Sequence, residues 1–335
     1  MYAGSIPTSA SKQGMKVFIT GCSGFIGYHL SLSLLKKNIE VFGIDNMNNY
    51  YDPNLKEHRL RLLKKYSNFS FKKIDLVEKK NLSLSVTNFN PDYIIHLAAQ
   101  AGVRHSLKDP VSYMKSNLEG FINTIETAKD LKSKNFIYAS SSSVYGGNKE
   151  IPFAEDQNKE IPISLYGYTK LINEQIAENY SNNFLINSIG LRFFSVYGPF
   201  GRPDMAYYSF TKDIDEGNEI SIYNDGQMSR DMTYVSDIVD GILKSIVRLG
   251  ENKRAKHEIF NLGNEDPIKL GTLLSKIESS LRKKADINYR ASSGEVENTY
   301  ADLSKSKLVL GYDPKISFED GMNKFYEWYK KYYER

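Results

Sequence analysis

The sequence predicts an α/β fold, namely a doubly wound parallel sheet with a smaller mixed α/β lobe on its C-terminal side. Three observations support this fold class. Short apolar runs typical of buried strands alternate with helical patterns up to about residue 197. A glycine-rich turn separates the first of these runs from the first helical pattern. From about Gly198 the alternation gives way to short segments rich in Arg, Asp, Gly and Pro.

The predicted elements follow one another in regular order. The predicted strands cover residues 17–20, 41–45, 69–74, 91–99, 135–140 and 186–194. Helices are predicted from about residue 25 and over residues 55–66, 115–132, 166–180 and 318–333. Since each helix connects one strand to the next, we expect a parallel sheet covered on both faces.

The first turn has the spacing of a diphosphate-binding loop. Its sequence runs from Gly21 through Gly24 to Gly27, with Phe25 and Ile26 opening the helix that follows. The first glycine permits a tight turn, the second lets the backbone approach a phosphate, and the third allows close packing of helix on strand. A helix N-terminus in this position attracts an anion. The pattern therefore predicts a Rossmann dinucleotide site.

An acidic residue in the second strand indicates which dinucleotide is bound. Asp45 ends that strand at the spacing where a carboxylate binds the adenosine ribose hydroxyls and repels a 2′-phosphate. The prediction is therefore NAD rather than NADP. Five further residues at strand ends join Asp45 and its neighbour Asn46 in the predicted cofactor site; they are Asp75, Leu76, Leu97, Ala98 and Ala99.

A tyrosine and a lysine lie four residues apart in the helix predicted for residues 166–180. Tyr166 and Lys170 would share one helix face, where the ammonium group is expected to lower the pKa of the phenol. A phenolate can take a proton from an alcohol during hydride transfer. Ser141, within the serine run 140–143 at a strand end, could hold the same oxygen. The structural alternatives are a surface contact for Tyr166 and Lys170 and a polar turn for the serine run. Because these residues occur together with the glycine turn, the sequence favours a catalytic set.

Composition excludes several classes of function. With 44 basic and 40 acidic residues the net charge is +4, too balanced to indicate nucleic-acid binding. Cys22 is the single cysteine, which excludes a disulfide framework and favours a reducing cytoplasm. No apolar run approaches the ~20 residues of a membrane span. The five histidines are dispersed, so no metal site is expected. Residues 1–14 are interpreted as a leader or an expression remnant before Met15.

The chain resembles the extended short-chain dehydrogenases/reductases, and among them the NAD-dependent nucleotide-sugar epimerases of the UDP-glucuronate 4-epimerase type. The resemblance covers nearly the whole chain and is carried by segments 20–27, 43–46, 96–104, 140–146, 166–170, 191–199, 201–205 and 230–235. It implies an NAD-binding domain over residues 15–197 and a lobe over 198–335 that mainly binds a UDP-sugar. It also implies cofactor contact by Asn117, a homodimer through helices 115–132 and 166–180, and a role in polysaccharide biosynthesis.

Differences among related subfamilies indicate the substrate. Sugar dehydratases of this group carry an Asp-Glu pair where the chain has Ser142 and Ser143, so dehydration is disfavoured. Galactose epimerases usually have Asn at the position of Ser195, whereas a small hydroxyl residue there is typical of glucuronate epimerases. The remaining substrate-binding residues implied by the resemblance are Arg104 and Arg202 near the sugar, Arg230 at the UDP phosphates, and Glu295 at the nucleotide. For Arg104 a surface or intradomain ion pair is the alternative. Gly167 and Tyr168, and Gly294 with Glu295, depart from the family pattern.

The resemblance implies C4 epimerisation of UDP-glucuronate to UDP-galacturonate through a 4-keto intermediate. Tyr166 would take the C4 hydroxyl proton, Ser141 would orient that oxygen, and Lys170 would hold the phenolate form. A 4-keto uronate is prone to lose CO2, so Ser142, Ser143, Ser195 and Arg202 are expected to fix its carboxylate. Two alternatives stay open, namely a UDP-glucose or UDP-N-acetylglucosamine 4-epimerase and a non-catalytic NAD-binding regulator.

Overall fold

A computed structural model describes residues 14–131, 135–157, 160–223, 226–251, 256–290 and 298–334. The strands are β1 (Lys16–Thr20), β2 (Glu40–Asp45), β3 (Phe69–Lys73), β4 (Tyr93–His96), β5 (Asn135–Ser141), β6 (Asn187–Phe193), β7 (Ser195–Tyr197), β8 (Glu219–Tyr223), β9 (Ser229–Tyr234), β10 (His257–Leu262), β11 (Pro267–Lys269) and β12 (Asp286–Arg290). The helices are α1 (Phe25–Leu35), α2 (Pro53–Leu63), α3 (Lys79–Phe89), α4 (His105–Lys108), α5 (Pro110–Tyr113), α6 (Gly120–Lys129), α7 (Leu165–Phe184), α8 (Ala206–Glu216), α9 (Val235–Glu251), α10 (Leu270–Leu281) and α11 (Phe318–Tyr332).

The predicted fold class is confirmed. The main sheet has seven parallel strands in the order β10-β6-β5-β4-β1-β2-β3. Successive residues of β1 enter different apolar clusters, Val17 and Ile19 on one face and Phe18 on the other. Helices α1 and α9 pack together on one face, while α6 packs with α3 and α7 on the other. All seven strands therefore end at one edge, where a doubly wound sheet binds its ligand.

A smaller lobe stands beyond this edge. It contains a three-stranded sheet in the order β11-β9-β7, a parallel pair of β12 and β8, and the helices α8, α10 and α11. The chain also returns to the main sheet after residue 198, because β10 pairs with β6 and α9 packs on α1. Residues 198–335 thus build most of the lobe and also one edge of the main sheet.

The largest local difference from prediction lies before α6. The predicted helix 115–132 begins earlier, at Pro110, where the Asp109 side chain accepts a hydrogen bond from the Ser112 backbone N–H. Its middle part, Met114–Glu119, is π-helical. Helix α3 was not expected from the sequence, since it buries only Leu82, Ser85 and Val86 and its apolar periodicity is correspondingly weak. Among the described helices, none has both the length and the apolar character needed to cross a membrane.

Candidate active site

The glycine turn between β1 and α1 is closed by close backbone contacts. The N–H of Gly21 donates to the Ile44 carbonyl at 2.8 Å, and Gly21 has a φ of +72°. A Cβ on Gly21 would lie 2.8 Å from the backbone nitrogen of Ala98, and one on Gly27 would overlap the Gly21 carbonyl oxygen. Among the described residues no side chain caps α1 at Gly24. The first N–H groups of α1 are therefore available for a diphosphate.

The carboxylate of Asp45 is held rigidly at the end of β2. It accepts hydrogen bonds from the backbone N–H groups of Ser23, at 3.2 Å, and Met47, at 2.8 Å. Beside it, the Asn46 amide donates to Asp75 at 2.9 Å, which joins the ends of β2 and β3. A fixed carboxylate next to a phosphate turn fits the ribose hydroxyls of an adenosine.

One cavity of about 230 Å³ brings most of the predicted cofactor residues together. Its walls include Gly21, Gly24, Phe25, Ile26, Gly27, Asp45, Asn46, Asp75, Leu76, Leu97, Ala98, Ala99, Tyr166 and Lys170. The glycine turn, the helix N-terminus and the small side chains after β4 fit the diphosphate and flat rings of NAD.

Asn117 is the exception among the predicted cofactor residues. Its buried amide accepts from the N–H of Gln100 at 2.7 Å and donates to the Gln100 carbonyl at 3.0 Å and to the Thr169 hydroxyl at 3.1 Å. The side chain lies behind the cavity, where it joins the segment after β4 to α7. Asn117 thus supports the cavity wall, and its contact with the cofactor stays a prediction.

Tyr166 and Lys170 lie on the face of α7 that packs on β5. Ser164 caps the helix by accepting from the Gly167 N–H at 3.1 Å. A Cβ on Gly167 would lie 2.6 Å from the Ser143 carbonyl oxygen, so the tight approach of α7 requires this glycine. Tyr168, by contrast, is exposed. Both departures from the family pattern between Tyr166 and Lys170 thus leave the catalytic face unchanged.

The electrostatics of Tyr166 differ from the prediction. Burial raises the pKa of its phenol above the ordinary value, while the positive charge of Arg202 and a hydrogen bond from Ser141 act to lower it. Burial also lowers the pKa of Lys170 to about 8. The Lys170 ammonium donates to the Ala139 carbonyl at 2.9 Å and lies 5.9 Å from the centre of the Tyr166 ring. Arg202 is thus a cation beside Tyr166 that the helical spacing did not indicate, and the effect of Lys170 on the pKa of Tyr166 stays a prediction.

A second cavity, of about 610 Å³, opens towards the smaller lobe. It shares Ser141, Tyr166 and Arg202 with the cofactor cavity. The predicted substrate residues in its walls are Arg104, Ser142, Ser143, Ser195, Arg202 and Arg230. Glu295 lies outside the described residues. A volume of this size is within the range of small-molecule sites.

Arg202 is paired within the protein. Its Nε and Nη2 atoms donate to the two carboxylate oxygens of Asp204, at 3.0 and 2.5 Å. The Tyr50 hydroxyl donates to the same carboxylate at 3.1 Å and so connects the loop after β2 with the smaller lobe. Burial opposes ionisation of Asp204, but Arg202 holds the pKa of this carboxyl below its ordinary value. A substrate carboxylate would therefore meet a guanidinium that already has one partner.

Two further arginines line the wider part of the second cavity. The Arg104 guanidinium lies 4.5 Å from the centre of the Tyr223 ring on β8, a cation–π contact. Arg230, on β9, donates to the Ser229 carbonyl at 2.9 Å. The geometry provides positive charge and an aromatic face in the same cavity, which suits a nucleoside diphosphate.

Comparison with known proteins agrees with this geometry. Residues 17–263 match the NAD dependent epimerase/dehydratase family. The chain belongs to this family. It is 41% identical to UDP-glucuronate 4-epimerase 4 of Arabidopsis thaliana over 97% of this chain and 77% of the relative. The UDP-glucuronic acid 4-epimerase of Bacillus cereus, solved with UDP-glucuronic acid and NAD, has a TM-score of 0.88 at 36% identity, covering 95% of this chain and all of that one. The UDP-glucose 4-epimerase of Thermotoga maritima, solved with UDP-glucose, has a TM-score of 0.85 at 27% identity and similar coverage.

Two residues of the candidate site, Tyr50 and Asp204, were not predicted from the sequence. Asp204 pairs with Arg202, and Tyr50, 154 positions before Asp204 in the sequence, donates to the Asp204 carboxylate. The only local signal is the Arg202-Pro203-Asp204 spacing, which lets one side chain reach the other. Within the described ranges no group of three or more His, Cys, Asp or Glu side chains could hold a metal ion.

Proposed function

We propose that the protein interconverts UDP-glucuronate and UDP-galacturonate by NAD-dependent epimerisation at C4. The observation that carries the proposal is the junction of the two cavities at Ser141, Tyr166 and Arg202. A sugar held there would have an acid–base group at one side and a cation at the other. The similarity to epimerases described for UDP-glucuronate supports the same substrate.

The chain's own residues would move and hold one proton. Tyr166, as phenolate, takes the proton of the C4 hydroxyl. The Ser141 hydroxyl holds the C4 oxygen in place by a hydrogen bond. Two cations favour the phenolate form: Arg202, whose charge acts to lower the pKa of Tyr166, and Lys170, whose ammonium lies 5.9 Å from the centre of the Tyr166 ring. The glycine turn and Asp45 would hold NAD, which when bound would accept the hydride from C4 and return it. The protonated Tyr166 then returns its proton to the C4 oxygen of the epimer.

The uronate carboxylate would be bound by hydroxyl groups and one shared cation. Ser142, Ser143 and Ser195 lie in the wall of the substrate cavity near Arg202. Because the 4-keto sugar is a β-keto acid, it loses CO2 readily when the bond to its carboxylate aligns with the π system of the ketone. The site must therefore hold the carboxylate in another orientation. Several hydroxyl donors can fix its orientation, while the pairing of Arg202 with Asp204 moderates the charge at the carboxylate.

A substrate panel tests the proposal. The purified protein is incubated with NAD+ and, separately, UDP-glucuronate, UDP-glucose and UDP-N-acetylglucosamine, without reductant, and products are identified by NMR. We expect UDP-galacturonate from UDP-glucuronate and much slower conversion of the neutral sugars. Faster conversion of a neutral sugar would make the protein a UDP-hexose 4-epimerase. Tight binding of NAD with no turnover of any of the three would favour a regulator.

We also propose that the active form is a homodimer in the cytoplasm. The helical surface before and along α6 and α7 exposes large apolar side chains, namely Leu107, Val111, Met114, Ile122 and Ile172. Burying such a patch against a second copy would remove apolar surface from water. Sedimentation should give a dimer for the wild type and a monomer for Val111→Glu. The single thiol, Cys22, is buried, which agrees with a reducing compartment.

A further inference from the structure

Three consecutive residues at the end of β5 face three residues of α7 that are spaced four apart. The Ala139 carbonyl accepts from the Lys170 ammonium at 2.9 Å. The Ser140 hydroxyl donates to the Glu174 carboxylate, and Ser141 lines both cavities together with Tyr166. The contact between Ser140 and Glu174 has no role in the chemistry described above.

Glu174 is also part of a buried charge cluster. Its two oxygens accept from Nε and Nη2 of Arg192 on β6, at 2.9 and 2.7 Å, and the two side chains are only 6% and 3% exposed. Arg192 also donates to Glu160 at 2.9 Å and lies over the Tyr145 ring at 4.7 Å. Arg192 thus shares its one positive charge between the buried Glu174 and the partly exposed Glu160, so a second cation near Glu174 would further stabilise its buried charge.

The nearby group of opposite charge is Lys170. It lies one helical turn before Glu174 on the same face of α7, and the charge of Glu174 opposes the effect of burial on the Lys170 ammonium. We propose that Glu174 is a positioning residue of the epimerase reaction, which keeps Lys170 charged and holds α7 in register on β5. This inference rests on the proposed function, since the reaction it serves is that of Tyr166 and Lys170.

Several titratable groups face this pair from α7 and from the neighbouring strands. Besides Tyr166 and Glu178 on α7 itself, those on the neighbouring strands are His96 on β4, Tyr138 on β5, Arg192 on β6 and His257 on β10. Burial lowers the pKa of His96 to about 3 and that of His257 to about 4, and it raises the pKa of Tyr138. Among the basic side chains of this set, Lys170 is the one expected to lose its charge near pH 8.

The proposal makes a directional prediction for Glu174→Gln. Loss of the carboxylate charge disfavours the ammonium form, so the pKa of Lys170 falls and the basic limb of the kcat profile moves to lower pH by roughly one unit. KM for the UDP-sugar should change little, because in the described structure neither cavity has Glu174 in its wall. Glu174→Asp keeps the charge but shortens the reach, so kcat should fall while the basic limb stays in place.

Two measurements test this together on the NAD-loaded enzyme. The first is the pH dependence of kcat with UDP-glucuronate for the wild type, Glu174→Gln and Glu174→Asp, with Glu178→Gln as control because Glu178 is an exposed carboxylate on the same helix. The second is a 13Cε-lysine NMR titration of Lys170, assigned by the signal lost in Lys170→Met. The proposal is supported if Glu174→Gln, and neither of the other two variants, lowers the pKa of Lys170 and moves the basic limb of the kcat profile to lower pH. Unchanged values in the folded variant overturn it.

A double variant covers the case in which an unpaired Arg192 prevents folding. In Glu174→Gln with Arg192→Lys the positive charge at position 192 is kept in a smaller side chain that can pair with Glu160 alone, so only the carboxylate charge near Lys170 is lost. We expect the pKa of Lys170 in this double variant to stay below that of the wild type. A pKa equal to the wild-type value would show that Glu174 has a merely structural role. If the wild type does not turn over UDP-glucuronate, the proposed function fails, while the NMR titration still decides the role of Glu174.

Discussion

Arg202→Leu is expected to weaken the preference for a charged sugar. Arg202 is 23% exposed at the junction of the two cavities, where its guanidinium can meet a carboxylate at C6. A hydrogen bond to a charged group contributes about 1.5–3 kcal/mol. At 1.4 kcal/mol per factor of ten, its loss should lower kcat/KM for UDP-glucuronate roughly ten- to a hundredfold. UDP-glucose, which has a neutral C6 hydroxyl, should lose much less through this contact.

The variant has a second effect that applies to both substrates. Because the charge of Arg202 acts to lower the pKa of Tyr166, its removal raises that pKa and moves the acidic limb of the rate profile to higher pH. The ratio of the two kcat/KM values, measured across pH, cancels this shared effect. Release of CO2 with a UDP-pentose product would report a carboxylate that is held less firmly. Asp204→Asn serves as the matched control, since it retains the guanidinium and should retain the preference for UDP-glucuronate. Equal losses on both sugars in Arg202→Leu would assign Arg202 to the nucleotide or the fold.

Three further variants test the remaining parts of the site. Tyr166→Phe should lower kcat by roughly 10²- to 10⁴-fold with little change in substrate binding; a wild-type rate would place the base elsewhere. Asp45→Ala should narrow the difference between the NAD+ and NADP+ dissociation constants, since the carboxylate no longer repels a 2′-phosphate. If the wild-type protein bound NADP+ more tightly than NAD+ in the same titration, the ribose assignment would be contradicted. Gly27→Ala should abolish NAD binding measured by calorimetry, because its Cβ meets the Gly21 carbonyl; unchanged affinity would mean that the turn adjusts freely.

The sequence allowed prediction of the features that depend on short-range spacing. The glycine turn, Asp45 at a strand end, and Tyr166 with Lys170 on one helix face are each set by a few neighbouring residues. The parallel sheet follows from the alternation of strands and helices, although the return of β10 to its edge is hidden among the short elements after residue 198.

Features that depend on distant partners could not be predicted. The Asn117 amide is bound by Gln100 and Thr169, 17 and 52 residues away, and these contacts could not be read from local spacing. The pKa of Tyr166 depends on its burial and on Arg202, neither of which the i, i+4 spacing indicates. Arg202 itself is shared with Asp204, whose second partner comes from a loop 154 residues earlier.

The central claim is that C4 is oxidised and then reduced by the same hydride within one site. The most direct test uses UDP-glucuronate carrying deuterium at C4, incubated with the NAD-loaded enzyme in ordinary water, with the product analysed by NMR and mass spectrometry. The account predicts UDP-galacturonate that retains the deuterium at C4, since the hydride returns to the carbon that it left. Replacement of the deuterium by solvent hydrogen at C4 would contradict it.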